Sequence, residues 1–184
     1  MEQLEFYIYE NELWCKTSDG RNIAITEDDT EIISNILNLI RSQYPDAFKA
    51  LQSCYQKSAA NTKYYQFLIV RRFCKCNFGK LDSTTADIDK LGRCNFERVE
   101  CPLRGECPYE GIICNPKFNS KLSDAEMRVM KLYYQGMSKE EIGEVLYISP
   151  YTVKNQIKTS YLKLGVHEKA EFVKYVNQHN LFNN

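Results

Sequence analysis

The sequence predicts a mixed α+β protein that is mainly helical, and three observations support this fold class. Aromatic and apolar residues alternate imperfectly near the N-terminus, around the turn signal at residues 18–20, which is typical of a small hairpin or meander. Apolar residues recur at helical spacing in residues 26–72 and again in residues 122–184. A loop-rich stretch with four cysteines lies between these two regions.

These patterns divide the chain into three predicted parts. Residues 1–90 are expected to form a small N-terminal α/β-hairpin domain of unknown role, for which a sensor, a dimerisation surface and a docking surface for a partner protein are the alternatives. Residues 91–116 are expected to form a Cys-rich segment that is stapled by a metal ion. Residues 117–184 are expected to form a C-terminal four-helix bundle.

Composition limits the partners and the location of the chain. The 184 residues contain 24 Lys and Arg against 24 Asp and Glu, so a nucleic acid could be bound only by a local basic patch. The acidic N-terminus does not resemble a signal peptide, and the longest apolar run, residues 67–70, is too short to cross a bilayer. We therefore expect a cytoplasmic protein with no membrane partner, whose eight cysteines are metal ligands or free thiols.

The N-terminal helices are delimited by start and stop signals. Acidic residues at 27–29 predict the start of a first helix, which should end near Tyr44 because Pro45 follows. A second helix is predicted over residues 46–56. A third should begin after Asn61 and reach Arg72, and residues 73–89 are predicted to be irregular.

Each helix of the C-terminal module also has its own signals. Ser123 and Ser138 each precede a glutamate by three residues, which predicts two capping boxes. Ser149 is predicted to cap a third helix, over residues 150–164, with Pro150 at its first position and Gly165 at its end. The very short turn before Ser149 is typical of a helix-turn-helix, whose second helix enters the DNA major groove.

An ordered series of short motifs runs through this module. They are Leu122-Ser123, Glu126, Gly136-Met137-Ser138, Glu140-Glu141-Ile142-Gly143, Leu146, Ile148-Ser149, Thr152-Val153-Lys154-Asn155, Lys163-Leu164-Gly165-Val166 and Ala170. On these motifs, residues 122 to about 177 resemble the LuxR/GerE-type DNA-binding domain. The resemblance implies that Lys154 contacts DNA and that Thr152 and Asn155 lie near phosphates or base edges. The chain departs from the family pattern at three positions. The family usually has His where this chain has Gln156 and an apolar residue where it has Ser160, and it often has a polar residue where this chain has Leu162.

The predicted DNA-binding residues all lie in or next to the first half of helix 150–164. They are Ser149, Tyr151, Thr152, Val153, Lys154, Asn155, Gln156 and Lys158. Val153 also belongs to the predicted buried stripe of this helix. The expected partner is double-stranded DNA, bound by a homodimer because one short helix reads too few bases, and RNA polymerase is a further candidate partner.

Four cysteines are candidate ligands of a structural zinc ion, namely Cys94, Cys101, Cys107 and Cys114. Four thiolates complete a closed tetrahedral zinc site, although the gaps of six, five and six residues are longer than in common zinc knuckles. Cys74 or Cys76 could replace one ligand. An iron–sulfur cluster and a set of metal-free buried thiols remain alternatives. Cys15 and Cys54 are assigned to core packing.

The leading hypothesis is a sequence-specific DNA-binding transcriptional regulator that reads the major groove with helix 150–164. The alternatives are a metal-stapled protein-interaction adaptor and an iron–sulfur redox-responsive regulator. An enzyme is not expected, because the sequence contains no zinc-protease motif, nucleophile elbow or phosphate-binding loop.

Overall fold

The computed structural model describes residues 3–81, 85–90, 92–179 and 181–182. In these residues the chain forms one three-stranded antiparallel sheet and seven α-helices, so the predicted, mainly helical α+β class is confirmed. The chain divides into two compact units, Met1–Lys117 and Phe118–Asn184. The Cys-rich segment belongs to the first unit. None of the helices in the described residues is long and apolar enough to span a bilayer.

The sheet of the first unit is a short meander of β1 (Leu4–Tyr9), β2 (Glu12–Thr17) and β3 (Asn22–Ala24), in that order. The β1–β2 turn consists of Glu10 and Asn11, both with positive φ, as a tight two-residue hairpin requires. One face of the sheet is buried against the helices and carries Leu4, Phe6, Leu13 and Cys15.

Three helices complete the core of the first unit: α1 (Thr30–Gln43), α2 (Pro45–Tyr55) and α3 (Thr62–Asn77). Pro45 occupies the first position of α2, where its missing N–H costs no hydrogen bond. The Asn61 side chain caps α3 by accepting a hydrogen bond from the backbone N–H of Tyr64. These starts and the end of α1 near Tyr44 agree with the sequence-based prediction.

The end of α3 differs from the prediction. Residues 73–77 were expected to be irregular, but they form the last turn and a half of α3. The helix continues because Phe73 and Cys74 are buried, and the Phe73 ring packs 5.9 Å from the Tyr44 ring and 6.1 Å from the Phe78 ring. Tertiary packing of aromatic rings thus overrides a locally polar sequence.

The second unit is the predicted four-helix bundle: α4 (Asp124–Tyr134), α5 (Lys139–Leu146), α6 (Pro150–Leu164) and α7 (Lys169–His179). Both predicted capping boxes are present at Ser123 and Ser138. All four helices contribute to one core, which consists of Val129, Met130, Ile142, Val153, Ile157, Leu164, Val166, Phe172 and Val176.

Candidate nucleic-acid interface

The turn between α5 and α6 brings the two helices unusually close. Tyr147 ends α5 in the left-handed conformation with a φ of 55°, and the N–H of Ile148 donates to the carbonyl oxygen of Gly143 at 3.0 Å. A Cβ atom at position 143 would lie only 2.7 Å from the carbonyl oxygen of Ile148. Gly143 therefore permits the close approach that makes this pair of helices a helix-turn-helix.

The first turn of α6 is fixed by a local cap. The Ser149 hydroxyl oxygen accepts a hydrogen bond from the backbone N–H of Thr152 at 3.1 Å, and it also lies 2.9 Å from the Thr152 hydroxyl oxygen. Ser149 and Thr152 thus set the direction in which α6 starts. The N-terminus of a helix also carries a partial positive charge, which favours a nearby phosphate.

One side of α6 is exposed and basic. Tyr151, Lys154, Asn155, Lys158 and Leu162 are exposed at the spacing of a single helical face. The helix contains no Asp or Glu, and neither Lys154 nor Lys158 has an ion pair within the described residues. Two ammonium groups and one side-chain amide are therefore available to an external partner.

The opposite side of α6 holds the helix in place. Val153 is fully buried in the core, so its side chain faces the bundle and supports α6 from the inside. Gln156 is half-buried, and its amide oxygen has no hydrogen-bond partner within the described residues. Of the eight predicted DNA-binding residues, the structure thus places Tyr151, Lys154, Asn155 and Lys158 on the outer face.

Residues 120–176 match the model of the bacterial regulatory proteins, luxR family. This stretch is a LuxR-type helix-turn-helix domain. The chain is 35% identical over 60 residues to the Fimbriae Z protein of Salmonella typhimurium (strain LT2). The aligned part is 33% of this chain and 29% of that protein, so the chain spans less than a third of this relative's length. No solved structure matches the chain.

A partly buried ion pair joins the far end of α6 to the start of α4 in the LuxR-type domain. The Nζ atom of Lys163 lies 2.6 Å from Oε2 of Glu126, and the same carboxylate accepts hydrogen bonds from the N–H and the hydroxyl of Ser123. The hydrogen bond from Lys163 and those from Ser123 hold the pKa of Glu126 below its usual value. Sequence reasoning identified Glu126 only as a capping residue, because Lys163 lies 37 residues further along the chain.

Two exposed aromatic side chains flank the start of α6. Tyr151 is 72% exposed, and Tyr147, which the sequence-based prediction did not include, is 95% exposed. The signal that could have identified Tyr147 is its place in the turn directly before α6.

The four predicted metal ligands lie in different surroundings. Cys94 is buried, Cys101 is exposed, and Cys107 and Cys114 are half-buried. In the part of the chain that the structure describes, no three His, Cys, Asp or Glu side chains already meet at a point that could hold a metal ion. The zinc site and the iron–sulfur alternative therefore stay predictions.

Proposed function

We propose that the protein is a sequence-specific DNA-binding transcriptional regulator that places the first half of α6 in the major groove of duplex DNA. The observation that carries this proposal is the outer face of α6. There Lys154, Asn155 and Lys158 are exposed on a helix without acidic residues, inside a LuxR-type helix-turn-helix domain.

The chemistry of this face suits DNA. Lys154 and Lys158 lie one helical turn apart and can each neutralise a phosphate, which releases counterions and makes binding sensitive to salt. The side-chain amide of Asn155 can donate to and accept from the edge of an adenine in the major groove. Because the net charge of the whole chain is zero, attraction to DNA has to come from a local basic face such as this one.

A dimer extends the recognised sequence. A single α6 reaches only a few base pairs, whereas two copies in a dimer reach two half-sites about 34 Å apart, one turn of the double helix. Leu162 is 75% exposed at the end of the same helical face, and it offers an apolar contact to a second copy or to RNA polymerase. The operator is therefore expected to have two-fold symmetry.

The proposal is tested by selecting bound duplexes from a random DNA library with the full-length protein. Fluorescence anisotropy on the selected duplex then gives the affinity as a function of salt. Two phosphate contacts on each of two α6 helices predict a slope of log K against log salt of about −3.6, at about −0.9 for each contact.

A matched pair of double variants identifies the contacts. Lys154→Ala/Lys158→Ala should remove most of this slope, and Lys131→Ala/Lys174→Ala removes two exposed lysines outside α6 and should leave it unchanged. The proposal fails if no duplex is bound at low salt. It also fails if the two double variants weaken binding equally.

A further inference from the structure

The end of α3 carries two cysteines that face different environments. Cys74 is fully buried, and its pKa is raised chiefly by that burial and further by Asp87, Cys15 and Cys94. Cys76 is half-buried and lies one helical turn after Arg72, on the same face. The structure therefore places Cys74 in the core and Cys76 on the face of α3 that carries Arg72.

A fully buried asparagine fastens the Cys-rich segment to this end of α3. Asn77 Nδ2 donates to the carbonyl oxygen of Ile113 at 2.8 Å, and its Oδ1 accepts from the N–H of Asn115 at 2.7 Å. Cys114 is the residue between these two partners. Asn77 therefore fixes the backbone of Cys114 beside the helical turn that bears Cys76.

A second contact joins the same face of α3 to the loop that precedes Cys114. The guanidinium carbon of Arg72 lies 5.1 Å from the centre of the Tyr109 ring, and the Cys114 Sγ atom lies 3.9 Å from the carbonyl oxygen of Tyr109. The loop contains two successive turns. The N–H of Arg104 donates to the carbonyl oxygen of Cys101, and the N–H of Cys107 donates to the carbonyl oxygen of Leu103.

Cys76 and Cys94 lie in different parts of the first unit, and Cys76 is the half-buried one of the two. The surroundings of Cys94 are different. Cys94 is buried, and its backbone pairs with that of Ile88, which is itself fully buried.

We propose that Cys76, Cys101, Cys107 and Cys114 bind one zinc ion, and that Cys94 is a core residue rather than a ligand. Four thiolates form the closed tetrahedral set of a structural zinc site, and the neighbouring Arg72 offsets part of its negative charge. The proposal requires the exposed turn at residues 101–107 to move toward Cys76 and Cys114 when zinc binds, because no three possible ligands meet in the described residues. The thiol protons are released to solvent.

The test uses the full-length protein and measures metal directly, so its result is independent of DNA binding. Zinc is quantified by elemental analysis after purification, and the reduced, metal-free protein is then titrated with Co²⁺. Wild type should bind one ion per chain and show the visible absorption bands of tetrahedral cobalt thiolate. Cys94→Ser should keep this stoichiometry and spectrum, whereas Cys76→Ser should lose them, with far-UV circular dichroism checking the fold of both.

Cys76→His separates loss of a ligand from loss of structure. Imidazole is also a zinc and cobalt ligand, so this variant should still bind one ion, with the cobalt bands shifted as one sulfur is replaced by nitrogen. The proposal is overturned if wild type binds no zinc, or if it carries iron and sulfide instead. It is equally overturned if Cys94→Ser loses the metal and Cys76→Ser keeps it.

Discussion

Gly143→Ala tests whether the close approach of α5 and α6 sets the position of the recognition helix. An alanine Cβ at this position would lie 2.7 Å from the carbonyl oxygen of Ile148 and 3.5 Å from the backbone nitrogen of Pro150. Ordinary van der Waals contacts begin at 3.4 Å, so the residues that lead into α6 must move by about 0.7 Å. Both neighbours are backbone atoms, which cannot rotate away as a side chain can.

Two opposing terms set the size of the effect. Overpacking of this kind costs about 1–3 kcal/mol, whereas alanine is more favourable than glycine inside a helix by about 1 kcal/mol. We therefore expect a net loss of about 1 kcal/mol, which lowers the melting temperature of a domain of this size by about 4–8 °C. DNA affinity should fall about tenfold, a change that corresponds to about 1.4 kcal/mol, because the displaced α6 no longer matches the groove.

The assays are thermal unfolding followed by circular dichroism and fluorescence anisotropy on the selected duplex. Glu144→Ala is the control, since Glu144 is the next residue on the same helix and is exposed. The reasoning is refuted if Gly143→Ala melts higher than wild type and binds DNA with unchanged affinity. The approach of the two helices would then not depend on the missing side chain.

Three further predictions concern residues that position these elements. The folded-state pKa of Glu126 lies below its usual value of 4.5. The carboxylate therefore stabilises the fold fully above pH 4.5, and this stabilisation is lost as the pH falls through the folded-state pKa. Melting curves of Glu126→Gln should accordingly show a weaker loss of stability on acidification than those of wild type. Ser149→Ala removes the cap of α6 and should cost about 1 kcal/mol in urea unfolding, whereas Ser149→Asp should keep most of the stability, and equal losses would contradict the capping role. Asn77→Ala leaves the carbonyl oxygen of Ile113 and the N–H of Asn115 unpaired, so it should destabilise the protein by about 2–4 kcal/mol in urea unfolding. A loss below about 0.5 kcal/mol would show that other contacts hold the Cys-rich segment against α3.

The C-terminal domain could be predicted in detail because its signals are local. Each cap joins residues three apart, and the glycine at the end of α6 has the left-handed conformation that glycine adopts readily. The outer face of α6 could likewise be predicted from helical periodicity, as the exposure of Lys154 and Lys158 shows. Such patterns need no knowledge of the tertiary structure.

Contacts between distant parts of the chain could not be predicted in this way. Asn77 contacts residues 36 and 38 positions further on, and nothing in its local sequence distinguishes it from an ordinary polar residue. The same limit explains why α3 was predicted to end too early, since the aromatic packing of Phe73 involves residues outside the helix. Which of Cys74 and Cys76 faces the Cys-rich segment also depends on the direction in which the helix packs.

The lysines of α6 show how this limit affects the functional interpretation. Helix α6 contains three lysines, of which the sequence-based prediction assigned Lys154 and Lys158 to DNA and left Lys163 out. In the structure the ammonium group of Lys163 is paired with the carboxylate of Glu126. Transferring Lys163 to a phosphate would break this ion pair and leave the buried carboxylate of Glu126 with only its hydrogen bonds from Ser123, so we do not count Lys163 among the phosphate contacts. The expected salt dependence of DNA binding is therefore that of two lysines for each recognition helix.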